Sequence, residues 1–430
     1  MRRNEMRQFR TLLGYEMKKI CCRKSTWITF AVLISAFLLS TALTWSVTYE
    51  NVSQEQEEDT GEIKEEAWHD TYAERKARER KNGLYWSGRT IDNVLFADVE
   101  KEYGKAMQKA AKGAGTHELF TKEMERFEPV EAALEAITGE GNLLVQNYDS
   151  QKGAGLTEEK IYEARDALVE NFWQEYRITE KERSYWQEKE ESLPKPFTME
   201  YAEGFYQLIS MNGVYMVFMF ASFLLAVVVG RIFAEEHQRR LDQLILCSRF
   251  GRRQLYFVKI TTGILFAAFA VTVMMGVIAA VNLFVYGAEG FSAAIQLIAG
   301  WYSYPLTVGT TFLIMLGISL LAAVLTSIFI MVVSERFCSS TVAMAAVIAV
   351  TVGARLVVIP REFHILSQIW NYFPINLLKV DQGFLDVRLV SVFGVKLTSW
   401  QFAPVLYLLL GVLLVLLGKR FYCRYQVQGR

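Results

Sequence analysis

A short charged connector, residues 230–259, lies between two long apolar runs. Its residue types and their spacing make it the segment most typical of a functional site in this chain. Leu241, Leu244, Ile245 and Ser248 recur in it at helical spacing, among arginines and one aspartate. This spacing predicts a short amphipathic helix that lies parallel to a membrane face and has basic flanks. An ordinary loop whose Lys and Arg residues only set the membrane topology is the alternative.

The sequence contains no pattern typical of catalysis or of metal binding. Gly104-Lys105 and Gly418-Lys419 are followed by Ala and Arg, so no G-x-x-x-x-G-K-[ST] phosphate loop occurs. The four histidines are scattered without metal-ligand spacing, and there is no G-x-S-x-G elbow. We therefore expect no enzymatic activity, no cofactor and no metal in this chain.

Ionisable residues are nearly absent from the apolar runs, which argues against a carrier driven by protons or sodium ions. Such carriers need buried carboxylates, and these runs contain none. Arg355 lies about one helical turn before Pro360, so we interpret it as reaching outward to the membrane surface; an ion pathway is the alternative. We place Lys259 near a cytoplasmic membrane end.

Charged and apolar residues are segregated along the chain. Of its 430 residues 52% are hydrophobic, and its formal net charge is zero. Charges concentrate in the first thirty residues, in a block from Glu50 to Glu203 and in short connectors, whereas the other runs match the roughly 20 residues that cross a bilayer. The pattern is typical of an integral membrane protein with one sizeable polar domain, and we expect no nucleic-acid partner.

We predict an all-α polytopic membrane protein with six transmembrane helices, an N-terminal amphipathic helix and a helical extracytoplasmic domain between spans one and two. The predicted spans are residues 27–47, 212–233, 256–286, 306–333, 341–359 and 400–418. The predicted domains are a cytoplasmic interface helix (1–26), the first span (27–48), the polar domain (49–207) and the remaining spans (208–430), with a charged loop at 234–254 and an extracytoplasmic segment at 360–400. The long first apolar run indicates an uncleaved anchor rather than a signal peptide.

The polar domain is acidic and rich in helix-forming residues. Residues 49–207 hold 36 Asp/Glu against 21 Lys/Arg, with few prolines or β-branched residues. Predicted helices cover residues 65–80, 92–112, 117–137 and 157–190. Predicted core residues are Val94, Leu95, Phe96, Leu119, Phe120, Phe172 and Trp173. The domain contains none of the five cysteines, so it must fold without a disulfide.

The distribution of Lys and Arg predicts the orientation in the cell membrane. The N-terminus, the connector, the turn at 334–340 and the C-terminal tail together hold 20 Lys/Arg against 6 Asp/Glu. By the positive-inside rule these segments are cytoplasmic, and the acidic block is too long to influence that rule. We expect both termini in the cytoplasm and the polar domain outside.

Four features resemble the membrane subunits of ABC transporters, the type-2 permease family, and its Gram-positive members in particular. These are the basic amphipathic N-terminus, six spans, a membrane-associated segment before the last span, and the connector EEHQRRLDQLILCSRFGRRQLYFVK. YWQEKEESLPKPFTMEYAEGF and NYFPINLL are also similar to segments of such permeases. The resemblance covers residues 1–48 and 200–430, and the insert at 49–199 departs from the compact family core.

The resemblance implies that the connector carries a coupling helix that docks on a separate ATPase subunit, where ATP and magnesium bind. The implied ATPase-coupling residues are Glu235, Glu236, Arg239, Leu241, Leu244, Ile245, Ser248, Arg249 and Arg252. It also implies a second permease subunit, identical or different, surrounding lipid, and export of a lipid, peptide, antibiotic or envelope precursor. The alternative is an ATPase-linked membrane sensor or envelope-remodelling protein that binds a partner without transport.

The predicted orientation can be tested with a membrane-impermeant thiol reagent on intact cells. The native cysteines Cys21, Cys22, Cys247, Cys338 and Cys423 should resist labelling because all are expected on the cytoplasmic side. A Ser150→Cys variant should label. Labelling of Cys247 or Cys338 from outside would overturn the orientation.

Overall fold

The computed structural model describes residues 3–56, 63–111, 117–149, 155–238, 253–360 and 362–424. Within them the chain divides into two compact units. The membrane unit comprises residues 1–36, 207–281 and 312–430, and the polar unit comprises residues 37–206 and 282–311.

The described residues are predominantly helical. In chain order the helices are α1 (Arg3–Cys21), α2 (Lys24–Ser46), α3 (Tyr72–Trp86), α4 (Asn93–Ala111), α5 (His117–Met124), α6 (Glu128–Thr138), α7 (Leu143–Asp149), α8 (Glu158–Glu175), α9 (Glu180–Glu191), α10 (Glu203–Ile209), α11 (Met216–Val229), α12 (Arg231–Gln238), α13 (Gln254–Tyr286), α14 (Val308–Phe337), α15 (Ser340–Leu356), α16 (His364–Asn371), α17 (Pro374–Leu377) and α18 (Ser399–Arg424). Two antiparallel hairpins accompany them, β1 (Thr48–Gln56) with β2 (Ile63–Thr71) and β3 (Val390–Val392) with β4 (Val395–Leu397).

Five of the described helical segments are long and apolar enough to cross a membrane. They are Lys24–Leu43, Met211–Gln238, Gln254–Tyr286, Val308–Phe337 and Ser399–Cys423. The remaining predicted span, the fifth along the chain (341–359), corresponds to α15, whose 17 residues extend about 26 Å, close to the lower limit for crossing. It ends at Leu356 rather than at residue 359, and Pro360 disfavours helical geometry in the residue before it. The prediction of an all-α polytopic membrane protein is confirmed.

The centre of the membrane unit is the packing of α11 against α15. Ala221, Leu224 and Leu225 of α11 are fully buried. A short π-helical segment, Met211–Tyr215, precedes α11 and bends at Gly213. A Cβ atom at Gly213 would lie 1.8 Å from the carbonyl oxygen of Leu208. Only glycine therefore permits this close approach of two backbone segments.

The segment between the last two apolar helices consists of α16, α17, a π-helical turn at Val380–Phe384 and the β3–β4 hairpin. A buried ion pair joins its parts. The Arg388 guanidinium donates through Nε to Asp386 Oδ1 at 2.9 Å and through Nη1 to Ser367 Oγ at 2.7 Å. Both charged residues are almost fully buried. The hydrogen bond from Arg388 to Ser367 joins α16 to the residues just before β3.

The polar unit has its own hydrophobic core, built mainly from α4 and α6 with Trp86 at the end of α3. Its fully buried members include Trp86, Ile91, Val130 and Ile137. Leu95, Phe96 and Trp173 are buried as predicted, and Phe172 is half-buried. The prediction for Val94 is wrong, because its side chain is 70% exposed on the outer face of α4. The side chains of Leu119 and Phe120 lie outside the described residues.

The helix predicted at residues 65–80 starts later than expected, since residues 63–71 form strand β2. Helix α3 starts at Tyr72, after a capping box. The Thr71 hydroxyl accepts a hydrogen bond from the Glu74 N–H at 3.2 Å, and the Glu74 carboxylate accepts one from the Thr71 N–H at 3.0 Å. Thr-x-x-Glu is a recognised start signal for a helix, so the sequence did contain this boundary.

Two other predicted helices are each interrupted. The segment 117–137 divides into α5 and α6, with Pro129 in the first turn of α6, where proline is well tolerated. The segment 157–190 divides into α8 and α9. Between them Arg177 adopts a positive φ of 49°, and a second capping box, formed by Thr179 and Glu182, starts α9.

The loop between α13 and α14 is an integral part of the polar unit. The Trp301 ring stacks on Phe172 with 4.0 Å between ring centroids, and Tyr302 packs against the fully buried Trp186 at 5.5 Å. The Gly300 N–H donates to the Ala136 carbonyl at 3.1 Å, where a Cβ atom at residue 300 would clash at 2.1 Å. The predicted spans had indicated only a loop between residues 286 and 306.

The core of the polar unit should respond sharply to truncation. Ile137→Ala should lower the free energy of unfolding by about 2–4 kcal/mol, because the removed atoms leave a cavity in a fully buried site. The matched change Val94→Ala, on the exposed face of α4, should cost less than about 0.5 kcal/mol. Denaturant unfolding of the full-length chain measures both, and equal costs would contradict this core.

Candidate ATPase-coupling site

Each end of the connector lies in a helix of the membrane unit. The chain enters it through α12, whose Ile232, Phe233 and Ala234 are buried, and leaves it through α13. Glu235 and Glu236 lie on α12. The other predicted coupling residues, Arg239, Leu241, Leu244, Ile245, Ser248, Arg249 and Arg252, lie outside the described residues, so their role stays a prediction.

Glu236 forms an ion pair with a completely buried lysine. The Lys259 Nζ atom, on α13, lies 2.7 Å from Glu236 Oε1, and the Lys259 side chain is 0% exposed. The same Nζ donates to the Ile232 carbonyl at 2.7 Å. A buried ammonium without a carboxylate would be strongly unfavourable. The pair therefore ties the end of α12 to the beginning of α13, the two helices that the connector joins.

Lys19 of α1 and Arg23, which lies between α1 and α2, contact the same two carboxylates. The Arg23 guanidinium bonds to the Glu235 carboxylate, and Lys19 Nζ lies 3.9 Å from Glu236 Oε1. Arg23 and Lys19 therefore have carboxylate partners on α12.

The connector is also joined to α14. His237 Nε2 lies 3.1 Å from Glu335 Oε2, and the Ser334 hydroxyl donates to the Gly230 carbonyl at 2.6 Å. Both contacts join the last turn of α14 to α12 and to the glycine before it. A displacement of α12 would therefore also move the end of α14.

A cluster of aromatic rings connects this region to α18. The rings of Phe233, Tyr256 and Tyr422 lie 5.6–5.9 Å apart, measured between centroids. The Tyr256 hydroxyl donates to the Val415 carbonyl at 2.7 Å. Together with the ion pairs, these contacts join α1, α12, α13, α14 and α18 at one end of the membrane unit.

The carboxylates of this arrangement each contact a Lys, Arg or His side chain. Among the described residues no group of three His, Cys, Asp or Glu side chains could hold a metal ion.

Sequence reasoning missed the role of Lys259. Lys259 follows directly on the apolar residues Tyr256–Val258, so it is an ionisable residue at membrane depth. Such a residue is expected to pair with an oppositely charged side chain. The acidic pair on the preceding helix was the available candidate. We had placed Lys259 near a membrane end without assigning it a partner.

Arg355 also has a partner within the protein. Its Nη1 donates to the Tyr215 hydroxyl at 2.9 Å, and its guanidinium lies 5.4 Å from the centre of the same ring. Tyr215 is buried. Arg355 thus joins α15 to the beginning of α11, a contact that neither the surface interpretation nor the ion pathway had included.

A comparison with protein families identifies the class of this protein. The model of the ABC-2 family transporter proteins matches residues 103–418, nearly three quarters of the chain. The chain belongs to the ABC-2 transporter family. It is therefore a multi-pass membrane protein and a permease component of an ABC transporter, a kind of protein that generally works with an ATP-binding subunit. Neither the curated proteins nor the solved structures contain a match.

The matched range begins inside the acidic block. Residues 103–207 of that block thus fall within the ABC-2 match, whereas the sequence resemblance had placed the whole insert outside the family core. Helices α5, α6, α8 and α9 all lie in this part. The region that precedes residue 103, including α1, α2 and the β1–β2 hairpin, lies outside the match.

The buried pair at the connector predicts unequal effects at two adjacent glutamates. Glu236→Gln should destabilise the membrane unit by about 3–5 kcal/mol, because it leaves the Lys259 charge buried without a carboxylate. Glu235→Gln, which removes a more exposed partner of Arg23, should cost about 0–1 kcal/mol. Unfolding in mixed detergent micelles, followed by circular dichroism, measures both values.

The double variant Glu236→Gln, Lys259→Met is the control. It removes both charges and should recover most of the stability that Glu236→Gln loses. Equal losses at Glu235 and Glu236, or no recovery in the double variant, would show that the pair is not the anchor.

Proposed function

We propose that this chain is the membrane-spanning permease subunit of an ATP-driven ABC exporter, coupled to a separate ATPase through the loop at 234–254. The observation that carries the proposal is the anchoring of both connector ends. Glu236 on α12 pairs with the buried Lys259 on α13, and the same region contacts α1, α14 and α18. A loop that only set topology would need no such anchoring.

In this mechanism ATP and magnesium bind in the partner ATPase, and the present chain supplies no catalytic group. Closure of the ATPases displaces the connector. Because Lys259 cannot lose its carboxylate at low cost, α12 and the start of α13 move together. The His237–Glu335 contact carries the movement to α14, and the aromatic cluster carries it to α18.

A second permease subunit and lipid are the expected neighbours in the membrane. The apolar helices α2 and α18 are largely exposed within the single chain, whereas the segment Met211–Gln238 is mostly buried. Lipid or a second permease subunit, identical or different, would cover such surfaces. The family's usual pairing of membrane subunits supports this assignment.

The positive-inside rule supports cytoplasmic termini, a cytoplasmic connector and an outward-facing polar unit. In this orientation the ATPase engages the basic side of the membrane, and cargo leaves towards the polar unit. A lipid, peptide, antibiotic or envelope precursor is the class of cargo that we propose.

A sensor or envelope-remodelling protein is the second candidate function. The observation that favours it is the substantial polar unit, which has its own buried core and packs the loop 282–311 against α6, α8 and α9. A preformed domain of this kind can bind a partner while nothing is transported. In both functions the connector engages an ATPase.

Charge substitutions in the connector test its coupling role. Replacing Leu244 and Ile245 with Asp should leave insertion intact but abolish copurification with the ATPase, because two unpaired charges in a protein groove cost several kcal/mol. Pull-down of the ATPase and the yield in the membrane fraction measure the two effects.

The matched control replaces Arg252 and Arg253 with Gln. Each cation contributes on the order of 1 kcal/mol at lipid headgroups, so this variant should reduce ATPase binding less. A loop that only sets topology would show the reverse order, with insertion lost in the arginine variant and charges tolerated at Leu244 and Ile245.

A further inference from the structure

The polar unit contains a cleft of about 670 Å³ that the coupling role does not use. Its walls come from α3, α6, α8, the segment 199–206 and residues 293–308. Much of the lining is apolar or aromatic, with Leu168, Leu297 and Trp301 among its members. Its volume lies within the range of sites that bind drug-sized molecules.

All the ionisable groups that line the cleft, apart from tyrosines, are carboxylates. They are Glu79, Glu128, Glu135, Glu200 and Glu203. Lys76, which is not a lining residue, lies 2.7 Å from Glu79 and 3.5 Å from Glu203. The Ser292 hydroxyl donates to Glu200 at 2.7 Å. The cleft therefore combines an apolar surface with an excess of negative charge.

Glu128 is the carboxylate in the cleft that would gain most from a cationic ligand. Among the described residues it makes no ion pair. Glu128 is exposed on the rim of the cleft. Partial desolvation by its neighbours still raises its pKa, and the negative charges of Glu125 and Glu79 raise it further, while Arg75 and Lys76 oppose them. A cation beside Glu128 would relieve this unfavourable environment by favouring the ionised form.

Aromatic rings complete the lining. Trp301 is held in place by the parallel stacking of its ring on Phe172, at an interplanar angle of 10°. The Tyr201 hydroxyl donates to the Tyr286 carbonyl at 3.1 Å, which fixes that ring as well. Ordered aromatic rings next to carboxylates suit a ligand that is both apolar and positively charged.

We propose that this cleft binds a small amphipathic organic cation, with its charge beside Glu128 and its apolar part against Leu297 and Trp301. Charge complementarity selects this class over neutral and anionic molecules of the same shape. The binding step goes beyond the proposed export function, because it needs neither an ATPase nor transport.

The test compares two probes of nearly equal shape and opposite charge, tetraphenylphosphonium and tetraphenylborate. Equilibrium dialysis uses the full-length chain in lipid nanodiscs without an ATPase, with empty nanodiscs as the blank. We expect saturable binding of one tetraphenylphosphonium per chain and no saturable binding of tetraphenylborate. Because no ATPase is present, a failure of coupling cannot affect the result.

Two variants locate the site. Glu128→Gln should weaken tetraphenylphosphonium binding roughly twofold to fivefold, as expected for an ion pair at an exposed carboxylate. Ala132→Trp should block the cleft sterically. Glu159→Gln, which changes the net charge equally at an exposed position of α8 away from the cleft, should bind like the unmodified chain. Thermal melting shows that each variant is folded.

The pH dependence gives a further readout. Affinity for tetraphenylphosphonium should fall as the pH decreases through the raised pKa of Glu128, because the neutral carboxyl no longer attracts the cation. This decrease should be smaller in Glu128→Gln. Binding no greater than in empty nanodiscs, equal saturable binding of both probes, or unchanged affinity in both cleft variants would each overturn the proposal.

Discussion

The burial of one positive charge constrains the whole end of the membrane unit. Lys259 is completely buried, so its ammonium group must keep the Glu236 carboxylate and the Ile232 carbonyl as partners. This requirement fixes α12 against α13, where Glu235 bonds to Arg23 in the turn after α1. Because the constraint is electrostatic and buried, it persists at physiological ionic strength, at which exposed ion pairs are largely screened.

The same principle organises the segment before the last span. Asp386 and Arg388 are two residues apart and nearly fully buried, and Ser367 on α16 completes the arginine's hydrogen bonds. The surrounding backbone is short helix, π turn and hairpin rather than long helix. Irregular backbone of this kind is tolerated in a membrane protein only where its polar groups are satisfied within the protein.

The polar unit illustrates how distant parts of the chain complete one core. Tyr302 packs against the fully buried Trp186, and Gly300 lets the loop 282–311 approach α6 closely. The walls of the cleft come both from residues 79–206 and from residues 293–308. The cleft therefore forms only when these two segments of the chain pack together.

The sequence by itself determined the membrane class, the approximate spans and the helical character of the acidic block, since bilayer-length apolar runs and helix propensity are local properties. The Thr71–Glu74 capping box was also readable locally, although we had started that helix at residue 65. Only the tertiary structure decided which charges meet. Lys259 and Glu236 lie 23 positions apart in the chain, and Phe172 and Trp301 lie 129 apart. Spacing along one helix cannot predict such pairs, because they depend on how separate helices pack.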